Sequence, residues 1–291
     1  LSGYVGKVRR EEKNTIYCIA GDMFRGSVID SEFRGISTIE IMNMLSPDVV
    51  TIGNHEIDYG IAHLLFLEKC AKFPIINANM YITTNNARVF KSHQIIEIDG
   101  MKILFIGILT ETVLSMAKKE ALVGSFVDIH DAVTEVERIC NAYNSLDIDC
   151  TVLLTHIGFE EDKLLAARLD PSLGIDIIIG GHSHTYLEHP EEVNGILIVQ
   201  AGTGTDQIGR FDLEIDIDSN HVHSFAWKSI PITDEHCPRD TALEAILNPY
   251  KQEAEKKYSR VVTRLKRKLT HPSWYQETEL GGFLADILQE S

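Results

Sequence analysis

The stretch of sequence that decides the fold reads IDIIIGGHSHT (residues 175–185). It is a short apolar run that ends in two glycines and a His-x-His pair. A nearly continuous run of isoleucine is typical of a strand that is buried on both faces of a sheet. Because ligands bind outside the carboxyl ends of the strands in open α/β sheets, the sequence predicts that His182 and His184 lie at a ligand-binding edge.

Three other apolar runs end in the same way. Residues 15–21 lead to Asp22, residues 48–53 lead to Asn54, and residues 151–155 lead to His156. A glycine close to each of these positions lets the backbone turn sharply and place the polar group. Four strands are therefore predicted to bring Asp22, Asn54, His156 and the His182-x-His184 pair to one edge.

Carboxylate, amide and imidazole groups are the ligands that suit Zn, Mn, Fe, Co or Ni. A carboxylate can bridge two such ions, which together clamp a phosphate and activate a water. Each residue also has a simpler interpretation when it is taken alone. Asp22 could be a turn residue, Asn54 could satisfy a loop backbone, and His156 could be a hydrogen-bonded core histidine. Their common position at strand ends favours the metal centre.

Helical patterns separate the apolar runs and complete an α/β layout. Helices are predicted over residues 37–45, 61–72 and 131–145, and further strands over 73–78, 102–110 and 195–201. The pattern changes over residues 207–232. Residues 211–217 alternate apolar and acidic side chains, which predicts a half-exposed strand that pairs antiparallel with a second strand over 223–230. Prolines at 231 and 238 mark a boundary, and a long polar helix is predicted after them.

The charge balance excludes some classes of partner. The 291 residues carry a net charge of −16, so neutralising the phosphates of a nucleic acid polymer is not an expected function. No apolar stretch approaches the ~18 residues of a membrane span. The five cysteines show no metal-ligand spacing. A chain this acidic that handles phosphate esters needs a local source of positive charge, which bound metal ions would supply.

The order of these motifs resembles that of the calcineurin-like metallophosphoesterases. The signature blocks are GDMFRGS (21–27), GNHEIDYG (53–60), THIG (155–158) and GGHSHT (180–185). The 5′-nucleotidase branch is indicated by GNHEIDYG together with NANMY (77–81), VQAGTGTDQIGR (199–210) and ELGGFLADIL (279–288). The resemblance covers nearly the whole chain.

The resemblance implies a four-layer αββα sandwich for residues 1–231, a linker helix over 232–265 and the beginning of a C-terminal substrate-binding domain at 266–291. It also implies the role of each site residue. Asp22 would bridge two divalent metal ions (Zn, Mn, Fe, Co or Ni). Asn54, His156 and His182 would complete one site, and His184 would serve the other. An Asp-x-His block that completes the second site is expected upstream of Leu1.

Two further residues have catalytic roles by the same resemblance. His55 would bind substrate without binding metal, and would stabilise the charge on the phosphate or protonate the leaving oxygen. Asp58 would orient and charge His55. Asp58 has an alternative interpretation as the N-cap of the helix that begins at Ile61.

The implied activity is hydrolysis of nucleoside 5′-monophosphates, with a metal-bound hydroxide as the nucleophile. The partner is then a small nucleotide, with Asn54 and His55 at the substrate, and the location is periplasmic, extracellular or at the cell surface. Two alternatives remain open. One is a 2′,3′-cyclic-nucleotide phosphodiesterase of the same branch, and the other is a degenerate module that binds metal or ligand without turnover.

Overall fold

The computed structural model describes residues 1–24, 26–111, 127–261, 263–272 and 276–290. The chain separates into two compact units, Leu1–Tyr250 and Lys251–Ser291. The division lies inside the helix predicted after the two prolines, which runs from Thr241 to Tyr258. The predicted boundaries at 231 and 265, and the assignment of 266–291 to a substrate-binding domain, stay predictions.

One parallel sheet of the first unit carries the first two polar strand ends. It consists of β1 (Cys18–Ala20), β2 (Val49–Thr51) and β3 (Ile75–Ile76), hydrogen-bonded in that order. These strands are shorter than the apolar runs that predicted them. The helices next to this sheet in the chain are α1 (Ser2–Glu11), α2 (Val28–Phe33), α3 (Ile36–Leu45) and α4 (Ile61–Cys70).

A second, larger sheet carries the other two polar strand ends. Its order is β11 (Glu191–Val193), β12 (Ile196–Val199), β10 (Ile177–Ile179), β9 (Cys150–His156), β7 (Met101–Leu109) and β6 (His93–Ile98). The four inner strands are parallel, and the two edge strands are antiparallel to their neighbours. The helices α5 (Ala132–Tyr143) and α6 (Phe159–Arg168) follow β8 and β9 along the chain, where β8 is Val127–Ile129.

The remaining strands form two small sheets. β4 (Met80–Ile82) pairs with β5 (Ala87–Arg88) and with β8, antiparallel in both cases. β13 (Gln207–Asp216) and β14 (His221–Pro231) form the predicted antiparallel hairpin. Among the residues that the structure describes, α7 (Thr241–Tyr258) and α8 (Glu279–Glu290) come last. No helix in this described part is both long and apolar enough to cross a membrane.

Three apolar cores define the layers of the first unit. Side chains of α3 and α4, such as Ile39 and Leu64, pack with Val50 of β2 on one side of the first sheet. Side chains of α5 and α6 pack with Ile106 and Leu153 on the far side of the second sheet. Between the two sheets lies a third core, whose members include the following residues: Val49, Ile76, Phe105, Val152, Leu154 and Ile177. The order helix, sheet, sheet, helix confirms the predicted αββα sandwich.

The alternation of strand side chains explains why two cores meet at one strand. Val152 faces the core between the sheets, whereas Leu153, the next residue, faces the helices. Successive side chains of a strand point to opposite faces of the sheet. Both residues are buried because each face is covered by a core. Each fully buried aliphatic side chain of this kind stabilises the fold by about 1.5–3 kcal/mol. The parallel strands are thereby held with their carboxyl ends at a common edge.

Candidate metal centre

The predicted site residues follow the carboxyl ends of four parallel strands, two in each sheet. Asp22 lies two residues after β1, and Asn54 lies three residues after β2. His156 is the last residue of β9, and His182 lies three residues after β10. The Nδ1 atom of His156 donates a hydrogen bond to the carbonyl oxygen of Ala20 at 2.7 Å, which joins the tips of the two sheets directly.

Four of the predicted ligands meet at this edge. His156 Nε2 lies 3.1 Å from Asp22 Oδ2 and 3.1 Å from Asn54 Oδ1. His182 Nδ1 lies 2.9 Å from the same Asn54 oxygen. His156 is 1% exposed, so the cluster is closed on the side of the protein core.

The tautomer of His156 follows from its backbone partner. A carbonyl oxygen only accepts, so Nδ1 carries the proton and Nε2 faces Asp22 and Asn54. A backbone carbonyl that fixes a histidine in this way is the usual arrangement behind a metal-binding imidazole. The arrangement leaves Nε2 available as a ligand.

The spacing of these donors fits a divalent cation. Two ligands at right angles, each about 2.1 Å from an ion, lie about 3.0 Å apart. The contacts among Asp22, Asn54, His156 and His182 fall between 2.9 and 3.1 Å. Within the described residues, no three His, Cys, Asp or Glu side chains alone form a cation cluster. The donor set at this edge therefore includes the amide oxygen of Asn54, at which the two imidazoles meet.

Without metal, Asp22 and His156 form an ion pair, in which the proton on His156 occupies the place that a cation would take. Burial opposes ionisation of Asp22, but hydrogen bonds and positive charge from His156 and His55 outweigh it, so its pKa is lowered. Burial likewise opposes protonation of His156, yet Asp22 raises the pKa of this ring. The pKa of His182 is lowered by burial and by the charge on His156. A neutral His182 is the form that a metal requires.

Three of the predicted ligands adopt left-handed backbone conformations, which are uncommon in residues other than glycine. The φ angles of Asp22, His182 and His184 are 55°, 79° and 56°. A left-handed conformation in a residue other than glycine costs about 1–3 kcal/mol and is concentrated at functional sites. The structure places His184 on this strained loop. Its predicted service to a second ion stays a prediction.

A buried carboxylate that the sequence analysis did not single out holds the Asp22 loop. Glu56 is 1% exposed and accepts four backbone N–H groups. Its Oε2 atom accepts from Gly53 and Asp22 at 2.5 and 2.9 Å. Its Oε1 atom accepts from Met23 and Phe24 at 2.6 and 3.1 Å. The only sequence signal for this role is its place directly after Asn54 and His55 in the GNHE block.

Glycine is required at two positions next to the donors for reasons of space. A Cβ atom at Gly53 would lie 2.8 Å from His156 Cε1 and closer still to Asp22 Oδ1. A Cβ atom at Gly181 would lie 2.6 Å from the carbonyl oxygen of Ala20. These glycines let the strand tips approach one another closely enough for the donor atoms to meet.

The structure also brings together the predicted catalytic pair. His55 Nδ1 lies 2.7 Å from Asp58 Oδ2, and the backbone N–H of His55 donates to Asp22 Oδ1 at 2.9 Å. The N-cap of α4 is Gly60, so capping this helix is not the role of Asp58. His55 therefore stands beside the donor cluster, with Nε2 on the side of the ring that faces away from Asp58.

The comparisons with known proteins agree with this architecture. The family model described as calcineurin-like phosphoesterase matches residues 1–186. A snake venom 5′-nucleotidase of Crotalus adamanteus is 30% identical over 188 residues, which are 63% of this chain and 31% of the relative. A 5′-nucleotidase of Mus musculus is 27% identical over 274 residues, 85% of this chain and 45% of the relative. The chain thus spans less than half the length of these two relatives.

A solved structure supports the fold independently of close sequence similarity. The crystal structure of a 5′-nucleotidase precursor from Thermus thermophilus matches with a TM-score of 0.81 at 24% identity. The match covers 92% of this chain and 55% of the other. At this identity the likeness shows a common fold and nothing further.

Proposed function

The chain belongs to the calcineurin-like phosphoesterase family, a family of metal-dependent phosphoric ester hydrolases, and we propose that it hydrolyses nucleoside 5′-monophosphates. The observation that carries the proposal is the meeting of Asp22, Asn54, His156 and His182 through contacts of 2.9 to 3.1 Å. Relatives named 5′-nucleotidase support the substrate class. For the location we propose the periplasm, the extracellular space or the cell surface, and the venom relative supports the extracellular alternative.

Two divalent cations would supply the chemistry that the acidic chain lacks, because they neutralise the phosphate and activate a water. Asn54, His156 and His182 would hold one cation, and Asp22 would be a ligand of this cation and of a second one. His184 would contribute to the second site. Glu56 and the backbone carbonyl of Ala20 hold Asp22 and His156 in place.

His55 would act on the leaving oxygen. Its Nδ1 proton faces the carboxylate of Asp58, so the ring is oriented and its Nε2 atom lies on the opposite side. From there Nε2 would donate a proton to the departing alkoxide or stabilise charge on the phosphate. His55 is anchored through its own backbone to Asp22, which couples its position to that of the cations.

The test measures the nucleotide and nucleoside products, separated by chromatography, and the metal content of the full native chain. After treatment with a chelator, the protein is supplied with Mn²⁺, Zn²⁺ or Co²⁺ and assayed with AMP and with 2′,3′-cyclic AMP. AMP hydrolysis that depends on the added metal is the expected result. A preference for the cyclic substrate would favour the phosphodiesterase alternative, and metal binding without turnover would favour the non-catalytic module.

Two variants assign the roles within the site. His55→Ala should lose about 10²–10⁴-fold in turnover while it retains its metal, because proton transfer contributes that much. Asp22→Asn should lose metal. His189→Ala is the control, since His189 is an exposed histidine outside the donor cluster. A His55→Ala variant with normal turnover would refute the role of His55, and full metal content in Asp22→Asn would refute the centre.

A further inference from the structure

A second group of polar side chains lies directly behind the loop that carries His182 and His184. We propose that Asp162 and Gln200 are positioning residues, which hold this loop in its metal-binding shape through a one-way chain of hydrogen bonds that connects Ser183 to Asp162. The inference rests on the proposed function, because the shape of the loop matters only if its histidines bind metal.

One end of this hydrogen-bond chain is the buried carboxylate of Asp162. Asp162 Oδ1 accepts a hydrogen bond from Thr155 Oγ1 at 2.6 Å, and Asp162 Oδ2 accepts one from Gln200 Nε2 at 2.9 Å. Asp162 and Thr155 are 0% exposed and Gln200 is 2% exposed, so water does not replace these partners. Both carboxylate oxygens face donors. A carboxylate meets this arrangement because both of its oxygens accept, whereas an amide would place an NH₂ group against one of the donors.

The orientation of the Gln200 amide is fixed by its neighbours. Its Nε2 atom lies 2.9 Å from Asp162 Oδ2 and 3.4 Å from the carbonyl oxygen of Gly181, and both of these atoms only accept. Its Oε1 atom must therefore face Ser183 Oγ, at 3.0 Å. A reversed amide would place a donor against the serine and an acceptor against the carboxylate.

The serine closes the chain with every position filled. Ser183 Oγ accepts from the backbone N–H of Phe159 at 3.0 Å and lies 2.8 Å from Thr185 Oγ1. Its single proton goes to Gln200 Oε1, so Thr185 donates to Ser183. All the protons therefore point one way, from Thr185 to Ser183, to Gln200 and finally to Asp162.

The hydrogen-bond chain includes residues that are adjacent in sequence to three predicted ligands. Thr155 precedes His156, and Ser183 lies between His182 and His184. The backbone in front of the loop packs on the same pair, because a Cβ atom at Gly180 would lie 2.7 Å from Gln200 Nε2 and closer still to Asp162 Oδ2. The network thus acts on the backbone that carries the imidazoles.

The need for such a support follows from the strain in the loop. His182 and His184 both have positive φ angles, which are strained conformations for residues other than glycine. The several hydrogen bonds at Ser183 and Gln200 stabilise the loop and so oppose this strain. Burial raises the pKa of Asp162 to about 7, so both of its oxygens only accept at a pH above that value. This burial is a cost that a merely space-filling residue would avoid.

The experiment titrates Co²⁺ into the metal-free full chain and records the visible absorption of the bound ion. Partners that orient metal ligands typically change metal affinity by about 10–100-fold when they are replaced. Asp162→Asn and Gln200→Glu should each weaken Co²⁺ binding by about that factor. The double variant should recover much of the affinity, because the new amide at position 162 would donate to the new carboxylate at position 200, which would still accept from Ser183.

A matched control separates positioning from general stability. Asp176 is another buried carboxylate, 5% exposed, which accepts from the backbone N–H of Thr151 at 2.9 Å near the opposite end of β9. Asp176→Asn should lower the melting temperature in chelator and leave the Co²⁺ affinity unchanged. Ser183→Ala removes the hydroxyl that links the loop to Gln200 and leaves the buried carboxylate in place. This variant should therefore fold even if Asp162→Asn does not, and it should still weaken Co²⁺ binding.

The outcomes distinguish this inference from the proposed function. Wild-type Co²⁺ affinity in folded Asp162→Asn or Ser183→Ala would overturn the positioning role, as would a double variant that is weaker than both single variants. A wild-type protein that binds no Co²⁺ would overturn both proposals. A wild-type protein that binds Co²⁺ but does not hydrolyse AMP, with the variants behaving as expected, would overturn the proposed function alone.

Discussion

Replacing Glu56 with glutamine is the sharpest test of how the Asp22 loop is held. The carboxylate accepts two backbone N–H groups on each oxygen, from Gly53 and Asp22 on one and from Met23 and Phe24 on the other. Glutamine has nearly the same shape but only one accepting oxygen. Its NH₂ group would face two N–H donors, whichever way the amide turned.

The magnitude follows from the number of donors left without a partner. Two buried N–H groups lose their acceptor, and each such loss costs about 1–3 kcal/mol. The opposing effect is the relief of a buried charge, since burial and the nearby Asp22 raise the pKa of Glu56. The new NH₂ group also lacks an acceptor at this place, which offsets that relief. We therefore expect Glu56→Gln to lower the free energy of unfolding by about 3 kcal/mol.

Urea unfolding in the presence of a chelator measures this loss without any contribution from bound metal. Glu160→Gln is the control, because Glu160 is exposed and pairs with Lys163 at 2.9 Å, a type of contact worth about 0–1 kcal/mol. If Glu56→Gln loses no more stability than Glu160→Gln, the four backbone bonds do not hold the loop, and the account of the strained Asp22 conformation is wrong.

Three other predictions concern the scaffold. The hydrogen bonds of Arg88 and its neighbours lower the pKa of Glu135 in spite of its burial, so the stability that Glu135 contributes is present above its unfolded pKa and is lost as the pH falls through the lower native value. Glu135→Gln should thus flatten the acid side of a plot of melting temperature against pH, and an unchanged slope would contradict the assignment. Leu153→Ala should cost about 2.7–5 kcal/mol in urea unfolding, because Leu153 is fully buried, with no change in Co²⁺ affinity. Asp131→Ala removes the cap of α5, a bond from the Thr134 N–H at 2.9 Å, and should cost about 1 kcal/mol; a loss no larger than that of an exposed substitution on the same helix would refute the cap.

The layered fold was predictable because its signals are local. Buried parallel strands such as β9 and β10 are rich in Val, Leu and Ile, and the intervening helices repeat their apolar residues at helical spacing. The observed bounds are close to the predicted ones for β7, β9 and α3. β1, β2 and β3 are shorter than their apolar runs, because hydrogen bonding to a neighbour, and not hydrophobicity, decides where a strand ends.

Sequence by itself determined which residue types stand at the strand tips and in what order. A short apolar run that ends in glycine and a polar residue can be recognised from adjacent residues alone. Only the tertiary structure decided which atoms meet. Asn54 Oδ1 lies between two imidazoles from the other sheet because the two sheets pack with their carboxyl ends at one edge. The same holds for the carboxylates of Glu56 and Asp162, whose partners come from loops and strands that are distant in sequence. In the sequence both residues look like ordinary solvated acids. They accept hydrogen bonds from the loops and strands of the site only because the assembled layers bury them there.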